Sequence, residues 1–341
     1  MNKTSNTTPN SGISPKQKRE RSELSRSTDG DISVVFFGTG PVAAESLRLL
    51  ATDFSIEAVI TKPKPQHHKG DFPVLDVAKQ LALPVIPVTN AAEVSEKVLG
   101  QSFHSRLAVL IDFGIIVRQD VIHSFPLGIL NSHFSLLPQW RGADPITFSI
   151  VSGQKQTGVS LMKVVEKLDE GDIVAFGLYD MDGTETNHSL THDLVNLSAG
   201  LLRDTLPRYM ENPRAISQDN VADIVPEVDY PREVSYSRKL TKKDGIIDLT
   251  KSAAQLEREV RAYSGWPGSR TVIANKDVVI TAAHVADNTL HNVDKKTIFI
   301  ANKQLCLQTA DGILVIDSLK PAGKPAMPAS AFLAGYKQFL D

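Results

Sequence analysis

Gly128-Ile129-Leu130-Asn131-Ser132-His133-Phe134-Ser135-Leu136-Leu137-Pro138-Gln139-Trp140-Arg141-Gly142 is the stretch on which the reading of this chain turns. It opens apolar, as a buried strand does, and then turns polar at alternate positions. Asn131 and His133 are two apart, so on an extended backbone both side chains leave the same face. A carboxamide beside an imidazole at a strand end suits acyl transfer. The amide NH₂ can donate to a developing oxyanion, and the imidazole can donate or move a proton near pH 7. Pro138 has no N–H for a ladder, so the strand stops there. Taken alone, Asn-x-His is also a polar strand end holding a satisfied histidine.

The flanking sequence alternates strands and helices. Upstream, Ile32-Ser33-Val34-Val35-Phe36-Phe37 reads as a buried parallel strand, Gly38-Thr39-Gly40-Pro41 as a tight turn, and 42–50 as a helix. That is the opening βα unit of a doubly wound α/β sheet. The Gly-x-Gly lacks the third glycine of a dinucleotide fingerprint, and no acidic residue ends the next strand, 57–61. A nicotinamide-dependent oxidoreductase would rest on those glycines alone. A helix over 71–83, a short strand over 84–88 and a strong buried strand over 107–111 follow. Downstream come a helix over 144–152, a strand over 158–165, the acidic turn Leu168-Asp169-Glu170-Gly171-Asp172, and a strand from Ile173. An amphipathic helix over 190–209 closes the unit. Asp144 is expected as a helix-start carboxylate with no catalytic role. Arg141 has two readings, a contact to a substrate phosphate or ribose and a salt bridge that holds the loop.

A chain of 341 residues implies more than one core. The expected division is a disordered basic tail over 1–30, a catalytic domain over 31–211, a linker over 212–235 and a second domain over 236–341. The tail is rich in Ser, Thr, Asn, Lys and Arg and has almost nothing to bury. It also has no apolar stretch of the kind a secretory signal needs. No apolar run approaches the ~20 residues that span a bilayer. The single cysteine, Cys306, excludes an internal disulfide and a multi-cysteine zinc site, and fits a reducing compartment. His67-His68 has no third ligand nearby, so no metal is expected. A net charge of −2 leaves local basic patches, not a whole domain, to meet a nucleic acid.

In the last third, Lys242 and Lys243 lie on the basic turn Thr241-Lys242-Lys243-Asp244-Gly245. Ser252-Ala253-Ala254-Gln255 is a capping-box start to a helix that Gly265-Trp266-Pro267-Gly268 ends. Strand-like runs around 278–280, 297–300, 305–308 and 312–316 give the pattern of a small antiparallel, OB-like barrel.

Asn131-Ser132-His133-Phe134-Ser135-Leu136-Leu137-Pro138, with Trp140-Arg141-Gly142 and the later Leu168-Asp169-Glu170-Gly171-Asp172-Ile173, closely resembles the paired signatures of the folate-dependent formyltransferases. The last third resembles the C-terminal domain of the methionyl-tRNA branch of that family. The matching pieces are Lys239-Leu240, Ile247-Asp248, Ala254-Gln255-Leu256, Arg261-Ala262, Trp266-Pro267, and Gly323-Lys324-Pro325 with Ala331-Phe332-Leu333. The resemblance implies a Rossmann-like catalytic domain followed by a small barrel domain. It further implies 10-formyltetrahydrofolate as co-substrate, initiator methionyl-tRNA as partner, and no metal. By the same resemblance Asn131, His133 and Asp169 are catalytic. Ser135, Leu136, Leu137 and Pro138 line the folate site, with Phe113, Gly114 and Ile115 as a further wall. Lys62, Lys64 and Lys69, on a loop shorter than the family's, meet the tRNA together with Arg141, Lys242 and Lys243. Asp112 and Asp144 stand where the family has small residues. A cytoplasmic monomer without membrane attachment is expected. An acceptor amine on a nucleotide sugar, or a non-catalytic folate- or RNA-binding role, are the alternatives.

Overall fold

The computed structural model describes residues 32–64, 72–226, 228–287, 290, 296–336 and 338. Lys69 and the 1–30 tail lie outside them.

The first strand, β1 (Ser33–Phe37), forms because its last four residues are apolar and fully buried. A side chain of that size contributes about 1.5–3 kcal/mol when buried. The chain then runs through α1 (Pro41–Asp53), β2 (Ser55–Thr61), α2 (Pro73–Gln80), β3 (Val85–Pro87), α3 (Ala91–Leu99) and β4 (Ala108–Leu110). It continues through α4 (Gln119–Ser124), β5 (Ile129–His133), the short β6 (Arg141–Gly142), α5 (Pro145–Ser152), β7 (Gln156–Lys163), β8 (Ile173–Asp180) and α6 (Asn187–Glu211). Seven strands make one sheet in the order β3-β2-β1-β4-β5-β7-β8. The pairs from β3 to β5 are parallel, and β7 and β8 extend the sheet antiparallel. The chain winds outward from β1 to β3 and then crosses back to β4. The crevice at the carboxyl ends of β1 and β4 is therefore the place where such a sheet receives ligands.

The segment expected as a linker carries packed structure. It holds a 3₁₀ turn at Gln218–Asn220 and α7 (Val221–Ile224). Val221, Ala222 and Tyr230 bury themselves against Leu136, Leu137, Met162 and Ile173. Directly after it, β9 (Tyr236–Ser237) pairs in parallel with β6.

The last third has α8 (Ala253–Ala262), β10 (Ser269–Ile273), β11 (Lys276–Val285), β12 (Ile298–Ala301), β13 (Gln304–Gln308), β14 (Ile313–Pro321), β15 (Met327–Pro328) and α9 (Ala329–Tyr336). The strands form a curled antiparallel sheet in the order β10-β11-β14-β13-β12, with β15 on β14. Two hairpins turn at Ala274-Asn275 and Asn302-Lys303, each pair with positive φ. This is the turn whose twist matches that of the strands it joins. The capping box is only half made. Ser252 Oγ accepts from Gln255 N–H at 3.2 Å, but the Gln255 amide crosses to the Val151 carbonyl at 3.3 Å. Arg258 Nε donates to the same carbonyl at 3.1 Å, and Arg261 Nη1 donates to Glu185 O at 2.7 Å. No helix among the described residues is long and apolar enough to cross a membrane.

Candidate active site

A cleft of about 500 Å³ opens at the carboxyl ends of β4 and β5, with Val42 of α1 on its wall. Asn131 and His133 both face it, as their spacing on β5 requires. The acidic turn between β7 and β8 brings Asp169 to the same cleft. His133 Nε2 lies 3.0 Å from the Trp140 carbonyl, and a carbonyl only accepts, so this nitrogen carries a hydrogen. The other ring nitrogen, Nδ1, lies 3.8 Å from Asp169 Oδ2. Both side chains are buried: 6% of the imidazole and 7% of the carboxylate side chain remain exposed. The same Oδ2 accepts the Gly142 N–H at 2.7 Å. Gly142 has φ +104°, and a Cβ there would meet Ser237 O at 2.6 Å, so only glycine fits. Asn131 is half-buried, and its carboxamide has no hydrogen-bond partner among the described residues.

Phe113 and Gly114 line the cleft, with Leu110, Phe134 and Ile146 as apolar neighbours. Ile115 does not reach it and packs into the core on the side of Phe113. Ser135, Leu136, Leu137 and Pro138 are also kept out. Leu136 and Leu137 point into the core shared with α7. Ser135 Oγ donates to Gln139 O at 2.5 Å, and Ser160 Oγ ties the turn down at Ser135 O and Leu137 N–H. These four shape the loop rather than wall the cavity.

Asp112 lines the mouth of the cleft at φ 46°. Protein packed around its carboxylate, and next the charge of Asp144, raise its pKa to about 6 against the opposing charge of Lys62. A Cβ at Gly40 would lie 1.9 Å from Asp112 Oδ2, so the carboxylate keeps its place because position 40 is glycine. The Gly-x-Gly turn thus makes room for Asp112, and Thr39 Oγ1 holds the Asp112 and Phe113 carbonyls at 2.9 and 3.0 Å. Asp144 does not cap its helix. It stands in the left-handed region at φ 60°, makes no cap bond, and accepts the Leu240 N–H at 3.2 Å.

Of the expected nucleic-acid contacts, Arg141 is buried and engaged. Its Nε and Nη2 donate to Gln218 Oε1 at 3.2 and 2.8 Å, and Nη1 lies 3.6 Å from Glu170. In this structure Arg141 holds the loop. Lys62 Nζ reaches Gly114 O at 3.5 Å, and Lys64 lies over the Phe72 ring. Lys242 and Lys243 are exposed.

The formyl transferase family profile matches residues 33–206, and the formyl transferase C-terminal domain profile matches residues 239–337. A methionyl-tRNA formyltransferase of Roseiflexus castenholzii is 30% identical over 312 residues, which is 90% of this chain and 96% of the relative. The chain belongs to the formyl transferase family. Among solved structures, an N-formyltransferase from Helicobacter canadensis in complex with folinic acid and dTDP-3-aminofucose superposes with TM-score 0.61 at 17% identity, over 84% of this chain and 98% of that one. HypX from Aquifex aeolicus in complex with tetrahydrofolic acid gives TM-score 0.57 at 15% identity, over 90% of this chain and 48% of that one. Both show the shared fold.

This member of the formyl transferase family has further site residues that the sequence reading did not place at the cleft. Lys239, Asn187 and Thr191 line the cleft, and Gln218, Ser235 and Ser237, in and just after the segment expected as a linker, hold its Trp140 and Asp169 backbones. The last three sit in an aperiodic stretch, where neither helix nor strand spacing marks a residue as buried.

Proposed function

We propose that this enzyme moves the formyl group of 10-formyltetrahydrofolate onto the α-amine of initiator methionyl-tRNA, giving the N-formylmethionyl-tRNA used to start translation. The supporting observation is that similarity to the methionyl-tRNA relative spans 90% of the chain, both domains included. The cleft fits the folate co-substrate in kind: apolar walls with a few polar groups, and a carboxamide with no protein partner. The folate supplies an activated formyl carbon. The acceptor nitrogen attacks that carbon, the carbonyl oxygen becomes an oxyanion, and the carbon–N10 bond breaks as a proton passes to N10.

Asn131 is the direct donor to the oxyanion, since its amide is unspent. His133 keeps Nε2–H on the Trp140 carbonyl and turns Nδ1 to Asp169. A proton on Nδ1 makes that contact an ion pair and places a positive charge beside the oxyanion. Asp169 fixes the ring and is itself fixed by the Gly142 N–H. Lys62, Lys64, Lys242 and Lys243 meet the tRNA. The enzyme acts as a monomer in the cytosol.

The test is formyl transfer from 10-formyltetrahydrofolate to methionyl-tRNA, with initiator and elongator forms in parallel. Transfer to the initiator form alone is expected. No transfer to either, with transfer to an amino sugar nucleotide, moves the acceptor to the nucleotide-sugar class.

A further inference from the structure

Asp169 is held at φ 55°, a backbone region that a non-glycine residue keeps only when its surroundings enforce it. Its carboxylate is fixed by Gly142, but its backbone is fixed from the interdomain segment. Gln218, 5% exposed, donates from Nε2 to Asp169 O at 2.8 Å and to Gly171 O at 2.9 Å. Its Oε1 accepts Arg141 Nε and Nη2. A primary amide has two N–H donors and two acceptor lone pairs, and all four are used here. Arg141 in turn precedes Gly142, the residue that holds the Asp169 carboxylate. The contacts close a ring: Asp169 to Gly142, Arg141 to Gln218, and Gln218 back to Asp169.

Ser235, at the end of the segment, and Ser237, just after it, act on the histidine side of the pair. Ser235 Oγ accepts the Trp140 N–H at 2.9 Å, and Ser237 Oγ donates to the Trp140 carbonyl at 3.3 Å. That carbonyl is the one on which His133 Nε2 rests. The chain between the two domains therefore grips both halves of the His133–Asp169 pair.

We propose that Gln218 is a positioning residue for formyl transfer, acting through Asp169 by locking the acidic turn to the Trp140–Gly142 loop. The inference rests on the role proposed for Asp169. Displacing a catalytic group by about 1 Å costs roughly 10²-fold in rate. Substrate binding changes little, because Gln218 does not line the cleft.

Two variants test this. Gln218→Met keeps the volume and removes all four hydrogen bonds. Gln218→Glu keeps an acceptor for Arg141 and loses both donors to the acidic turn, so it remains informative where the methionine variant fails to fold. Each is expected to lower kcat by roughly 10²-fold while the folate KM stays within about twofold. The decisive measurement is a cycle with Asp169→Asn. In that background Gln218→Glu should cost less than about threefold, because residues acting through one another are non-additive. Equal losses in both backgrounds, or an unchanged kcat in a folded Gln218→Glu, overturn the proposal.

Hydrogen exchange over 168–172 needs no acceptor and separates the two readings. Faster exchange in Gln218→Glu with a wild type inactive on methionyl-tRNA upholds the positioning role and changes the acceptor. Unchanged exchange with an active wild type overturns the positioning role alone.

Discussion

His133 and Asn131 leave the same strand face but stand in different states. The imidazole is committed to a backbone carbonyl and a carboxylate, while the carboxamide is uncommitted. Removing a group that has no partner orphans nothing, so Asn131→Ala is expected to keep the melting temperature. It should lower kcat by about 10²–10³, the usual loss for one oxyanion donor. Steady-state kinetics beside a thermal melt checks both halves. Asp112 carries a prediction of opposite kind. Its folded pKa is about 6, against 3.8 for the free side chain. Between those values the folded state binds more protons than the unfolded one, so stability falls as pH rises through this window and stays lowered above it. Asp112→Asn removes the penalty. Its melting temperature should exceed that of the wild type by ~2 °C above pH 7 and match it below about pH 4, a modest gain because the carboxylate reaches solvent at the cleft mouth.

At the scale of elements, the basic turn depends on one acid. Asp244 Oδ2 accepts the Thr241 N–H at 2.7 Å and an Arg238 guanidinium N–H at 3.0 Å. These bonds hold the Asp244 carboxyl well below the usual carboxylate range. A depressed acid contributes stability that is present above the unfolded pKa and is lost as pH falls through the folded one. Asp244→Ala should therefore destabilise by about 1–2 kcal/mol at neutral pH, with the difference from wild type shrinking in strong acid. Urea titrations at two pH values read this. Elements with a burial pattern were legible beforehand: β1, β4 and β5 are apolar runs, and the face of α6 repeats at helical spacing. Others were not read, among them the packed turns of the segment expected as a linker and α3, α4 and β10. α3 carried a usable signal, since Asn90 accepts the Ala92 and Glu93 N–H groups and Glu93 returns to Thr89 N–H. α4 has six residues, too few to show a period. In β10 the outward positions are Arg270 and Val272, and so mixed a run hides its alternation. At the site, the Asn131-x-His133 spacing revealed a shared face, whereas residues 135–138, expected as a folate wall, pack into the loop and core and do not line the cleft. Loop residues buried by contacts distant in sequence look the same, in sequence, as loop residues that line a cavity.

At the scale of the whole molecule, the proposed acceptor has a basic approach to the cleft from the second domain. Lys239 lines the cleft, and the exposed Lys242 and Lys243 follow within four residues, on a turn that Asp244 keeps in place. Leu240 N–H meets Asp144, so the first residues of the second domain are tied to the rim of the site. On the proposed function, a polyanion crossing this turn brings its terminal amine to the cleft that Asn131 lines. Such contacts work by neutralising phosphates and releasing counterions, which makes them salt-dependent and indifferent to the chemistry below. Joint replacement Lys242→Glu and Lys243→Glu is therefore expected to raise the KM for methionyl-tRNA by tenfold or more at low salt, to leave the folate KM unchanged, and to leave kcat within about twofold. The slope of log(kcat/KM) against log salt should become shallower by about one to two, the share of two phosphate contacts. A KM that does not move, or a salt slope equal to that of the wild type, would show that the acceptor approaches the cleft from another side.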